Sequence, residues 1–171
     1  MKNIILTGFM GTGKTAVGRE LARMLNMKLI DIDAGIEAAA GMRISDIFSR
    51  FGEARFRDIE TEVIRKYAAL GHSIISTGGG AVLRDENIEV LRKNGTIYCL
   101  TASPHTILKR TDGNDDRPLL KSDDPLQKII ELMQHRRPFY EKTGIMIDTE
   151  DKTPLQVAEE IAEIYRADAQ G

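Results

Sequence analysis

The segment Gly8-Phe9-Met10-Gly11-Thr12-Gly13-Lys14-Thr15 has the spacing G-x-x-x-x-G-K-[ST], and each residue type in it suits one task in holding phosphate. The glycines let successive backbone N–H groups turn inward around phosphate oxygens. A helix starting at the loop would add its positive N-terminal end. Lys14 offers a cation to the outer phosphates, and Thr15 a hydroxyl to a divalent metal such as Mg²⁺. The chemistry indicated is the holding of a nucleoside triphosphate; the loop alone does not say what becomes of it.

Two carboxylates follow in Leu29-Ile30-Asp31-Ile32-Asp33. Strand alternation would put Asp31 and Asp33 on one side of a strand, at the carboxyl edge where open α/β sheets bind ligands. Asp31 would then hold Mg²⁺, directly or through water, and Asp33 would accept a hydrogen bond from a substrate hydroxyl. The plainer alternative is that Asp33 caps the next helix. Ser73-Ile74-Ile75-Ser76-Thr77 runs straight into Gly78-Gly79-Gly80, a place for close backbone approach to a ligand or simply a flexible turn. P-loop enzymes often end such a strand in a metal-binding Asp. This one does not, which favours Asp31 as metal ligand. Arg55, Arg57, Arg136 and Arg137 could each be solvated surface charges, but arginine is suited to fork onto a carboxylate. If two of them converged near Asp33, the pocket would suit a molecule bearing both an acid and a hydroxyl. Spacing does not decide whether they converge.

The elements that must position these residues are legible from periodicity. Short apolar runs at 3–7, 28–32, 73–77, 96–101 and 145–148 alternate with helical patterns. Val17, Leu21, Met24 and Leu25 mark one face of a helix from Thr15 to Asn26. Ser103-Pro104, Asp124-Pro125 and Thr153-Pro154 each pair a capping residue with proline at the first helical position. Gln156 completes a capping box with Thr153, and Gly95 is expected to cap a helix over 86–94. Strands alternating with helices predict an α/β fold whose parallel sheet is covered on both faces. The polar stretch Thr111 to Arg117 breaks the pattern. It reads either as a solvated loop or as a mobile lid carrying Arg117, since kinases must exclude water from the transferring phosphate. The residues from Asp168 to Gly171 are expected to fray.

With 171 residues and 42% hydrophobic content, the chain is expected to form a single domain with a sizeable core. A formal charge of -2 provides no basic field for nucleic acid. No apolar run approaches a membrane span, and the glycines and Lys14 interrupt the N-terminal segment too early for a targeting peptide. Cys99 lies in an apolar run, as a core residue would, in keeping with a reducing cytoplasm. His72, His105 and His135 lack metal-ligand spacing, and no G-x-S-x-G nucleophile elbow is present.

Six segments in order carry a resemblance over nearly the whole chain: Gly11-Thr12-Gly13-Lys14-Thr15; Asp31-Ile32-Asp33; Phe51-Gly52-Glu53 with Phe56-Arg57 and Glu60; Gly78-Gly79-Gly80; Arg117-Pro118-Leu119; and Arg136 before Pro138 and Tyr140. Together they resemble the shikimate kinase family. The resemblance implies a three-layer P-loop kinase fold with a five-stranded parallel sheet of order 2-3-1-4-5. It implies an acceptor-binding region at about 33–61 and a lid at about 111–123. ATP phosphates would lie on Gly11, Thr12, Gly13, Lys14, Thr15 and Ala16, with Mg²⁺ at Thr15 and, through water, Asp31. Asp33 would hold the hydroxyls of shikimate, Arg57 and Arg136 its carboxylate, and Gly79 would contribute backbone. Glu60 would orient Arg57, Arg117 would descend onto the phosphates, and Arg110 with the segment near Pro154 would flank adenine. The implied reaction is ATP-dependent phosphorylation of the shikimate 3-hydroxyl in chorismate biosynthesis, with Lys14, Asp33 and Arg117 as the catalytic set in a monomer. The rival readings are a related P-loop kinase for gluconate or a nucleotide, and a non-catalytic nucleotide-binding switch.

Overall fold

A computed structural model describes residues 2–111 and 123–168. Five strands, β1 (Asn3–Gly8), β2 (Lys28–Asp31), β3 (Ser73–Ser76), β4 (Gly95–Thr101) and β5 (Ile145–Asp148), pair in parallel in the order β2-β3-β1-β4-β5. This is the order the resemblance implies. The helices are α1 (Lys14–Leu25), α2 (Ile32–Ala40), α3 (Ile44–Ala68), α4 (Asp85–Asn94), α5 (Pro104–Thr111), α6 (Pro125–Tyr140) and α7 (Pro154–Asp168), with a 3₁₀ turn at Ala81–Leu83.

Strand alternation decides which side each core residue serves. Ile4 and Leu6 of β1 join Ile74, Tyr98, Leu100 and Ile147 against Val17 and Leu21 of α1 and Val157, Ala158, Ile161 and Ala162 of α7. Ile5 points the other way. With Ile75, Ile97 and the free Cys99 it packs against Ile36, Ile47, Ile64, Leu91 and Ile129 from α2, α3, α4 and α6. The sheet is therefore a middle layer between two helical layers, which explains why its strands read as near-continuous apolar runs.

Local capping follows the sequence closely. Asp124 accepts from Gln127 N–H at 3.0 Å, Ser103 Oγ from Thr106 N–H at 3.2 Å, and Thr153 Oγ1 from Gln156 N–H at 3.2 Å. The Gln156 side chain returns a bond to Thr153 N–H at 2.9 Å, closing the capping box. Gly95 departs from expectation. It follows α4, but its backbone is extended (φ -172°, ψ -178°) and it already belongs to β4. A Cβ there would stand 2.5 Å from the Asn3 carbonyl oxygen, so glycine is needed for the close β1–β4 approach, not for a left-handed cap. α3 is broken at Gly52 (φ 78°, ψ 175°), a conformation suited to glycine. Beyond that break, Glu60 and Arg57 of the same helix lie close to Gly78 and Gly80. Among the described residues no helix is long and apolar enough to cross a membrane.

Candidate active site

The phosphate loop joins the carboxyl end of β1 to α1. Gly8, Gly11 and Gly13 have φ of 134°, 78° and 95°, values that side-chain-bearing residues rarely adopt. Thr12 closes the turn on the Phe9 carbonyl through both N–H (3.3 Å) and Oγ1 (2.8 Å). Gly13 occupies the cap position of α1, so no side chain caps that helix. The first N–H groups of a helix lack intrahelical acceptors, and a phosphate suits that position. Lys14 Nζ donates to the Gly8 and Phe9 carbonyls at 2.8 and 2.9 Å, which draws its charge over the loop. Thr15 and Ala16 follow in the first turn, both half-buried.

The acidic pair is arranged differently from the alternation reading. β2 ends at Asp31, whose Oδ1 accepts from Ala34 N–H at 3.2 Å. Asp33 lies in the first turn of α2. The cap considered for Asp33 therefore belongs to Asp31, because the unpaired N–H groups of the new helix capture the first carboxylate at its start. Both acids still stand at the carboxyl edge. Asp33 retains access to solvent, yet enough protein surrounds it that burial, followed by the Asp31 charge, pushes its carboxyl pKa up. Lys14 and Arg57 act on it in the opposite direction, so the phosphate-loop cation and an α3 arginine share its electrostatic field.

The glycine run after β3 is where the halves meet. A Cβ at Gly78 would stand 2.9 Å from Asp33 Oδ1 and 3.2 Å from Glu60 Oε1. One at Gly79 would lie 3.4 Å from both Gly8 O and Met10 N, and 3.6 Å from Arg136 Nη1. One at Gly80 would intrude on the Arg57 guanidinium. Three successive residues thus contact Asp33, the phosphate loop, Arg136 and Arg57, a convergence that spacing left open.

Arg57 Nη1 is bonded to Glu60 Oε2 at 2.7 Å, with Glu53 Oε1 on Nη2 at 3.1 Å. Glu60 is 0% exposed, and burial pushes its carboxyl up against the pull of Arg57. Its Oε1 has no hydrogen-bond partner among the described residues. The Arg57 guanidinium lies 5.0 Å from the Phe56 ring centroid. Arg136, only 6% exposed, has its guanidinium 5.7 Å from the Phe9 ring, within cation–π range. A buried cation with an aromatic floor suits an anionic ligand better than solvent does. Arg55 and Arg137 point outward; Arg137 pairs with Glu141 at 2.6 Å and is 74% exposed.

On the far side of the phosphate loop, Arg110 donates to Thr149 Oγ1 and O, both at 2.9 Å, which anchors it beside the β5–α7 loop that leads to Pro154. Sequence reasoning missed Phe9 beneath Arg136, the bond from Tyr140 to the Gly79 carbonyl (2.5 Å) and the Glu150 cluster at the α5 start. No local pattern announces them, since each joins residues distant in sequence or depends on side-chain direction. The lid expected at 111–123 lies, from Asp112 to Lys121 and Ser122, outside the described residues, as does Arg117.

A parallel 2-3-1-4-5 sheet with a phosphate loop after its central strand is the P-loop kinase fold. The shikimate kinase family model matches residues 10–166. A shikimate kinase from Thermodesulfovibrio yellowstonii is 52% identical over 96% of this chain and 95% of its own length. One from Caldicellulosiruptor bescii is 48% identical over 98% and 97%. The structure of shikimate kinase from Acinetobacter baumannii in complex with shikimate superposes with a TM-score of 0.93 at 34% identity, covering 98% of this chain and 94% of that one. The chain belongs to the shikimate kinase family.

Proposed function

We propose that this chain transfers the γ-phosphoryl group of ATP to the 3-hydroxyl of shikimate, giving shikimate 3-phosphate and ADP. The observation that carries the reading is the Gly78–Gly80 junction. There a phosphate loop, a carboxylate and two arginines are brought against one another, which matches a triphosphate donor facing an acceptor that has both hydroxyls and an acid. Membership of the family supports the choice of shikimate over gluconate or a nucleotide. Arg57 and Arg136 would hold the acceptor carboxylate, Asp33 its hydroxyls, and Gly79 would add backbone.

The donor would lie on residues 11–16, with its phosphates at the uncapped α1 start. The oxygens of Thr15 and Asp31 fit Mg²⁺, which commonly takes one or two carboxylates together with phosphates and water. When bound, the ion supplies charge neutralisation at the phosphates. Arg110 and the segment near Pro154 would flank adenine.

Phosphoryl transfer is largely positioning and charge stabilisation. Asp33 aligns the attacking hydroxyl, which in a loose transition state needs little deprotonation before transfer. Lys14 stabilises the charge that develops on the transferring group, and Arg117 of the lid would be its second cation. The same proposal takes the active unit to be a monomer, as the family resemblance implies. The buried Cys99 thiol is in keeping with the cytoplasm.

A coupled assay of ADP release tests the proposal. Turnover should require shikimate and should not be supported by gluconate or nucleoside monophosphates. Comparable turnover with either alternative, or none with shikimate, would overturn it.

A further inference from the structure

Three consecutive glycines have more backbone freedom than any other tripeptide, so something must hold Gly78–Gly80 in the one shape that serves both halves of the site. Each carbonyl has its own partner. Gly78 O accepts from Ala81 N–H at 3.1 Å and Gly80 O from Leu83 N–H at 3.1 Å. Both partners are backbone groups of the following 3₁₀ turn. The middle carbonyl is held from elsewhere: Tyr140 Oη–H donates to Gly79 O at 2.5 Å, across 61 residues of sequence.

Tyr140 is also four residues after Arg136 on α6, so the two side chains share one helix face. Its ring is buried, and burial pushes its phenol pKa up to about 12 against the opposing effect of Arg136. It is therefore a neutral hydrogen-bond donor throughout the working pH range. The peptide plane adds a geometric consequence. In a trans peptide the Gly79 carbonyl and the Gly80 N–H point in opposite directions, so fixing one aims the other. The face of Gly79 that lacks a Cβ lies against Arg136 Nη1 and the phosphate loop.

We propose that Tyr140 is a positioning residue for acceptor binding: its hydroxyl donates to the Gly79 carbonyl and also meets the Arg136 side chain, so it sets the Gly79–Gly80 peptide and the seat of Arg136 together. This rests on the reading that Arg136 and Gly79 receive the acceptor acid. Tyr140 itself touches the glycine carbonyl and the Arg136 side chain.

The test is Tyr140→Phe, which keeps the ring and removes only the donor, measured beside Arg136→Ala and the double variant. Tyr140→Phe should raise the shikimate KM roughly three- to tenfold. The ATP KM should stay within about twofold and kcat should change less than the shikimate KM. Amide exchange at Gly79–Ala81 should quicken while β1 amides keep their protection. In the Arg136→Ala background the added effect of Tyr140→Phe should shrink, as it does for coupled neighbours.

An unchanged shikimate KM in Tyr140→Phe, alongside a raised one in Arg136→Ala, overturns the positioning role and leaves the site reading intact. Equal losses in kcat and both KM values indicate a merely structural tyrosine and also overturn it, as does full additivity in the double variant. An unchanged shikimate KM in Arg136→Ala overturns the site reading itself. Should Tyr140→Phe fail to fold, Gly79–Ala81 exchange in the wild-type chain decides: protection no greater than at exposed loop amides overturns the role.

Discussion

Lys14 Nζ is held by two carbonyls of its own loop, at 2.8 and 2.9 Å. Those bonds place a positive charge where the outer phosphates would lie, and they are bonds the chain could exchange for phosphate oxygens at little cost in packing. Lys14→Ala should therefore lower kcat at least roughly a hundredfold, the scale seen when one group stabilising the transition state is removed. The melting temperature should stay close to that of the parent, because Lys14 is only half-buried. Steady-state kinetics with a thermal melt check both, and near-normal kcat would sink the phosphate role. Arg136 shows the opposite balance. It is deeply buried over Phe9, and nothing local in Gln134-His135-Arg136-Arg137 distinguishes it from its exposed neighbour Arg137. Which of the two arginines turns inward depends on how α6 lies against the sheet.

At the scale of elements, the turn after β3 does the most with the fewest atoms. Gly80 has an ordinary backbone (φ -97°, ψ 0°), so alanine there meets no backbone strain. Its methyl would instead press on the Arg57 guanidinium, which can yield only by loosening its 2.7 Å bond to the buried Glu60. Gly80→Ala should thus lower the melting temperature, because Glu60 is left buried with a weakened partner, and raise the shikimate KM by about tenfold, as expected for a displaced charge-assisted contact. An unchanged shikimate KM, measured by steady-state kinetics, would contradict that account. The β2–α2 junction teaches a related lesson. The period-2 pattern reached Asp33, but the helix begins at Ile32, and a capping carboxylate outweighs strand alternation at such a boundary.

For the whole molecule, Glu150 links elements that are far apart in sequence. Its carboxylate accepts from Ser103 N–H at 2.9 Å and Ser103 Oγ at 3.1 Å, and also from the Thr106 hydroxyl. The β5–α7 loop is thereby fastened to the start of α5. The Ser103 backbone bond, then the Thr106 hydroxyl, hold its carboxyl below the usual range. A carboxyl whose pKa falls on folding stabilises the fold above its unfolded value, about 4.3 for glutamate, and loses that contribution as pH falls through the lower folded value. Glu150→Gln should therefore lower the melting temperature near neutral pH, and the gap to the parent should close below about pH 4. Melts across pH check this; a gap that stays constant or widens in acid would contradict the linkage.

Sequence by itself determined what depends on neighbours in the chain. The phosphate loop, the five strands, the proline-marked helix starts and the capping box are all local patterns of propensity, and the structure has each of them. Motif order was enough to indicate the family. Only the tertiary structure decided what depends on packing: that Asp31 and not Asp33 caps α2, that Gly95 serves a close strand approach, that Arg136 is buried while Arg137 is not, and that Gly78–Gly80 touch both halves of the site. The physical reason is one of range. Backbone hydrogen-bonding needs and hydrophobic period are set within a few residues. A site assembled from β1, α2, α3, β3 and α6 exists only once the sheet has brought its carboxyl ends together and the helices have packed on it.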